Sequence, residues 1–189
     1  MDRSSHSIVV PLAGDLNVAF DAEHLRVHTA WSGSRLRLSG CPYNGNSGKF
    51  HCDFEGKELW ACPPFLPWNM GASAAIGDSK AELPHNFKAI SAKGRVTLSY
   101  ELQPAGGSVV RVHEVYSVQN AGTEKAIVRR FEISACDTTL HFTAHAEAGE
   151  ASAAGAGALI VRKDNTLLAV ARGVPGLSWA ALTADAAYE

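Results

Sequence analysis

The chain has 189 residues, of which 46% are hydrophobic and 19% charged, and its formal net charge is -2. A chain of that size buries a core without help from a disulfide or a metal, and the composition excludes wholesale disorder. The near-neutral total, with a pI near 6.4, argues against a dedicated nucleic-acid binder, which would carry a basic face.

No window reaches the roughly 20 apolar residues that a membrane helix needs, and the first residues, MDRSSHSIVV, lack the long apolar run of a signal peptide. As given, the chain reads as soluble and without an export signal, and its two ends fit the edges of an excised domain. The first elements are the short strands SIVVPL (7–12) and LNVAFD (16–21), separated by a turn at Ala13-Gly14-Asp15. LRVHTAW (25–31) follows, with Leu25, Val27 and Trp31 expected on one side. Ser32-Gly33-Ser34 is read as a turn into RLRLSG (35–40), where Leu36 and Leu38 continue the alternation. These segments form a first antiparallel meander.

From 41 to 86 the alternation lapses, and the segment is read as one long loop insertion. Pro63, Pro64 and Pro67 exclude the interior of a helix or central strand. Tyr43, Phe50, Trp60, Phe65 and Trp68 lie here beside Asn44, Asn46 and Asn69. Aromatic faces offer rigid apolar area and amides orient a polar ligand, so Tyr43, Trp60, Phe65, Trp68 and Asn69 are the candidate carbohydrate-binding residues. The competing reading has the same aromatics plugging one end of the fold. GASAAIGDSKAELPHN (71–86) reads equally as a short helix or a loop.

The clearest pattern runs from Arg95 to His145. In RVTLSYEL (95–102), Val96, Leu98, Tyr100 and Leu102 alternate with Arg95, Thr97, Ser99 and Glu101, the period of two that buries one face of a sheet. SVVRVHEVYSVQ (108–119), AIVRRFEISA (126–135) and LHFTAH (140–145) extend it into a second meander. Two meanders predict an all-β protein, an antiparallel β-sandwich of two packed sheets with a long irregular aromatic loop, organised as a single domain over 1–189. After it, HAEAGEASAAGAGAL (145–159) is read as a loop because of its glycines. ALIVRK and TLLAVAR form a hairpin about Asp164-Asn165, and LSWAALT (177–183) is the expected closing strand.

Glu114 interrupts an otherwise apolar side that also carries Val110, Val112, Tyr116 and Val118. A carboxylate there must find a partner, and Arg129, flanked on its side by Ile127 and Phe131, is the nearest cation in the next strand. The polar side, with Glu101, Arg111, His113, Arg130 and Glu132, is explained by cross-strand charge pairing. The alternative is catalytic: His113 as acid with Glu101 or Glu114 as base, in a sugar-directed isomerase or lyase. A structural ion pair is the favoured reading of Glu114.

No metal or cofactor is expected. His24 and His28 are four apart, as are His141 and His145, but in strands four residues span about 13 Å, too far to chelate one ion. Cys41, Cys52, Cys62 and Cys136 contain no C-x-x-C pair, which leaves buried thiols or a Cys41–Cys52 or Cys52–Cys62 bridge. No nucleophile elbow or phosphate loop is present.

FDAEHLRV followed by AWSG, with the hairpin KGRVTLSYEL, resembles an uncharacterised β-rich domain of large secreted bacterial proteins that also carry propeller-like dehydrogenase and c-type cytochrome modules. The resemblance covers most of the chain through structural motifs alone. It implies an exported, accessory module beside other domains of a larger parent, with no catalytic residues transferred. The expected partners are a polysaccharide or oligosaccharide, or the redox modules of the parent, and neither nucleic acid nor membrane. The leading expectation is a non-catalytic accessory module that binds carbohydrate.

Overall fold

The computed structural model describes residues 6–39, 51–61, 66–69, 83–92, 95–121, 124–137, 140–142, 150–153, 158–163 and 166–172. Two four-stranded antiparallel meanders pack face to face as a sandwich. The first is β1 (Ser7–Pro11), β2 (Leu16–Asp21), β3 (Arg26–Ser39) and β4 (His51–Ala61), in that order. After the short β5 (Trp68–Asn69), the second is β6 (His85–Ser91), β7 (Thr97–Leu102), β8 (Val110–Ala121) and β9 (Glu124–Ile133).

The core lies between them because alternation points one side of each sheet inward. Val10, Val18, Phe20, Leu25, Val27 and Ala30 from the first meet Leu98, Tyr100, Leu102, Val110, Val112 and Tyr116 from the second. Phe20 joins the two layers directly, its ring 6.2 Å from that of Tyr100 and 6.1 Å from that of Phe87. Burial of these side chains, at about 25 cal/mol per Å² of apolar surface, is the main force holding the layers together.

The first meander departs from the sequence reading in two places. Ser32-Gly33-Ser34 does not turn the chain; β3 runs unbroken through it and pairs with β4 by a shifted register between Ser32 and Arg35. Gly33 and Gly56 face each other there, at φ of 137° and 155°. A Cβ on Gly33 would stand 2.2 Å from the Glu55 carbonyl oxygen, so only glycine permits this approach. Consequently 41–86 is not one loop, since β4 supplies an eleven-residue strand within it.

Trp31 also changes sides. His28 is the extra residue of a bulge, because Ala19 pairs with Thr29 while the next residue, Phe20, pairs with Val27. Val27 and Ala30 face the core, and Trp31, one residue on, faces away from it and stacks on Phe54 at 5.1 Å. Trp31 is nevertheless buried, as are Ala19 and Thr29, so this part of the sheet is covered on both faces.

In the second meander the alternation holds, and β7 and β8 are joined by a turn in which Gly107 N–H donates to the Pro104 carbonyl. β10 (His141–Phe142) pairs with β5 rather than extending the meander. The glycine-rich stretch supplies a strand as well: β11 (Glu150–Ala153), β12 (Ala158–Lys163) and β13 (Thr166–Arg172) form a separate three-stranded sheet. The predicted β12–β13 hairpin closes with Lys163 opposite Thr166, and LSWAALT lies outside the described residues. Among the described residues no helix is long and apolar enough to cross a membrane.

Candidate functional site

Glu114 is the chemical centre of the molecule. It lies on β8 between Leu98 of β7 and Phe131 of β9, and its side chain is 0% exposed. A carboxylate taken that far from water requires partners on both oxygens. Arg129 Nε donates to Oε1 at 2.7 Å, the ion pair expected from the sequence. The Tyr116 hydroxyl donates to the same oxygen, and the Tyr100 hydroxyl donates to Oε2 at 3.0 Å. Trp68 Nε1 donates in turn to the Tyr100 oxygen at 3.3 Å. The chain Trp68 to Tyr100 to Glu114 thus ends on the charge.

The surroundings explain the protonation states. Burial, then the Glu114 charge, pushes both the Tyr100 and the Tyr116 phenol well above the usual phenol range. Burial works against the Arg129 cation, but the Glu114 carboxylate and then Tyr116 outweigh it and hold the guanidinium above its ordinary value. Arg129 is 19% exposed and also lies over aromatic rings, 5.1 Å from Phe131, 5.2 Å from Phe142 and 5.8 Å from Tyr116. A cation between ring faces gains from their quadrupoles.

Three of the predicted binding residues, Trp60, Trp68 and Asn69, are described. Trp68 is 6% exposed and belongs to the core, where its ring meets Tyr100, Phe131 and Phe142. It plugs the sandwich and presents no face for stacking on a sugar. Asn69 is buried too, with its amide donating to the Leu66 carbonyl at 3.2 Å. Trp60 is half-buried against the core, and its carbonyl accepts the Thr29 hydroxyl. Tyr43 and Phe65 lie outside the described residues, as do Cys41, Cys62 and His145.

The catalytic alternative pairs residues that the strand keeps apart. His113 and Glu114 are consecutive in β8, so His113 is exposed on the outer face while Glu114 is sealed in the core. His113 does share its face with Glu101, yet its Nδ1 lies 2.9 Å from the Ser99 hydroxyl. Glu101 is engaged by Lys88 at 2.9 Å and by Arg111 at 3.8 Å. These are the cross-strand pairs of a solvated sheet face.

A second buried charge cluster has no counterpart in the sequence reading. Asp21 closes the β2–β3 turn: its Oδ1 accepts the backbone N–H groups of Glu23 and His24, at 3.0 and 3.3 Å. Its Oδ2 lies 2.9 Å from His24 Nδ1 and 3.3 Å from Arg26 Nε. Asp21 is 0% and Arg26 2% exposed. The aspartate after a strand was the available signal, since its short side chain bonds the backbone two residues on. Asp21, Glu23 and His24 each bring one ligand atom within 4.8 Å of the others. The Asp21 oxygens are already used by the turn, which accounts for the grouping. His28 takes a different partner, the Ser7 hydroxyl, at 2.9 Å.

No protein-family model matches the chain, and neither a curated protein nor a solved structure matches it.

Proposed function

We propose that this chain is a non-catalytic accessory module of a larger exported protein. The observation that carries the reading is the state of Glu114, the carboxylate with the most unusual surroundings in the described residues. It is sealed in the core, and three donors saturate it. A group so placed links β8 to β7 and β9 and, through Tyr100, to Trp68, and it is closed off from solvent. The outer-face groups His113 and Glu101 serve each sheet neighbour in turn rather than converging on a shared point.

Carbohydrate is the proposed ligand class, recognised by the aromatic segment without Trp68 and Asn69. Trp60 keeps part of its surface accessible, and the same stretch of sequence also carries Tyr43 and Phe65. The resemblance to β-rich domains of secreted multidomain proteins supports both the accessory role and the export. Among the described residues, the exposed large apolar side chains Leu36, Leu59, Ile90, Val109 and Ile133 are spread over both sheets, with Ile90 and Ile133 on opposite edges of the second. That spread favours a small ligand platform over a broad apolar docking face.

The test is retention of the purified chain on immobilised glycans and insoluble polysaccharides, beside folded Trp60→Ala and Tyr43→Ala/Phe65→Ala variants. Binding to one polysaccharide that either variant loses supports the reading. Absence of retention across the whole panel overturns the ligand class.

A further inference from the structure

Among the described residues, the side chain of His85 at the start of β6 reaches the backbone of the β2–β3 turn of the first sheet. This residue opens β6, opposite Leu102 of β7, and its ring reaches back across the end of the sandwich. Nδ1 lies 2.9 Å from the Leu83 carbonyl oxygen and Nε2 lies 2.5 Å from the Glu23 carbonyl oxygen. A carbonyl oxygen only accepts. A neutral imidazole has one N–H and one bare lone pair, so it can satisfy one of these contacts and must set a lone pair against the other. Only the imidazolium donates at both ends.

From this geometry we infer that His85 is a proton-operated latch between the two sheets, closed as the imidazolium and loosened when it loses its proton. The latch has a definite load. Its Glu23 end is the turn that Asp21 shapes, and the next residues of that turn lead into Leu25, a core residue held at φ of 56°. Its Leu83 end is a second core residue, 2% exposed, and the neighbouring Pro84 carbonyl accepts the Gln103 N–H. Releasing Nε2 therefore removes this hydrogen bond between the turn and β6 while leaving each sheet's own ladder and the packing of Leu25 in place.

Several charged groups surround the latch and set its background. On the turn these are Asp21, Glu23 and His24; at the start of β1, His6 lies 3.4 Å from the Glu23 carboxylate. On the β7 side, Glu101 stands opposite Asn86, one position beyond His85. The sign is fixed by the donor count: the tether contributes on the acid side of the histidine range and is lost as pH rises through it.

The experiment has two parts. Nitrogen-15 spectra of the histidine rings in the wild-type chain at about pH 7, an order-of-magnitude choice just above the ordinary histidine range, read the protonation of His85 without any mutation. Protons on both ring nitrogens are expected, and a neutral tautomer with one bare nitrogen overturns the latch. Urea midpoints of wild type and His85→Gln are then compared between roughly pH 6 and roughly pH 8.5, with His113→Gln as the control on the exposed face. Glutamine donates without titrating, so the wild-type advantage should be largest at the acid end and at least roughly halved at the alkaline end. An advantage that stays constant or grows with pH contradicts the proposal, as does an equal change in the His113→Gln control.

Discussion

The carboxylate of Glu114 draws its partners from three adjacent strands, whereas that of Asp21 takes Glu23, His24 and Arg26 from the turn that immediately follows it. Both are buried, and both pair with an arginine. Tyr116 lies only two residues away, but the Glu114 contacts to Tyr100 and Arg129 span 14 and 15 residues of chain, and Trp68 joins through a contact spanning 32. They exist only when the second meander is assembled and β5 has docked on it. Those of Asp21 span three residues or fewer for the turn donors, so they can form with the hairpin itself. One cluster reports tertiary closure and the other reports local geometry. Burial alone does not distinguish them; sequence separation does.

The sharpest way to break the comparison is to remove one arginine at a time. Arg129→Leu leaves the Glu114 carboxyl enclosed without its cation, and should cost about 3–5 kcal/mol of unfolding free energy in denaturant titration. Glu114→Leu should cost less, because the Arg129 side chain retains some access to water. Asp21→Ala comes next, at about 3 kcal/mol, since it removes an ion-pair partner of buried Arg26 and the acceptor for two turn N–H groups. Its effect should be strongest in hydrogen exchange of the β2–β3 ladder, while β7 to β9 keep their protection until global unfolding.

Leu25 sharpens the local side of the contrast. It is a buried leucine in the left-handed region, at φ of 56°. Leu25→Ala should lose about 2–4 kcal/mol of packing. Leu25→Gly loses the same side chain but relieves about 1 kcal/mol of backbone strain. The glycine variant should therefore be no less stable than the alanine variant, the reverse of the usual order within a strand.

The tyrosines provide a smaller, pH-dependent signature that belongs to the Glu114 cluster. Both phenols are held above their ordinary value of 10.0, foremost by burial and then by Glu114. In the folded state they keep protons that the unfolded chain releases, so their stabilising contribution is full below that value and falls as pH rises above it. Alkaline unfolding curves should show this loss, and Tyr100→Phe or Tyr116→Phe should flatten it. Phenolate absorbance should rise together with unfolding for these two tyrosines rather than before it.

Much of the fold was legible for one physical reason: a half-buried strand alternates, and β7, β8 and β9 pair without a register shift, so their period of two stays in phase. Glu114 was visible as the residue that broke the pattern, and Arg129 as the cation in phase with it. The first meander was harder to read because bulges shift its phase. His28 moves Trp31 to the opposite side, and the shifts about Ser32 put Phe54 and Trp60 out of step, so β4 has no period to detect. Trp68 admits two sequence readings for a different reason. A two-residue strand carries no pattern, and a tryptophan in a proline-rich segment looks the same whether it plugs a core or faces solvent. The Asp21 turn depends on a left-handed leucine, which local propensity disfavours. His85 had no sequence signal, since its partners are backbone carbonyls.

The central claim is that Glu114 and Arg129 form a structural clamp rather than a site. A double-mutant cycle of Glu114→Leu, Arg129→Leu and the pair, read by equilibrium denaturation, tests it most directly. The account predicts a folded double variant that is more stable than Arg129→Leu alone, with a coupling of about 2 kcal/mol or more between the two positions. Single variants that each leave stability within about 0.5 kcal/mol of wild type, with no coupling, would contradict it.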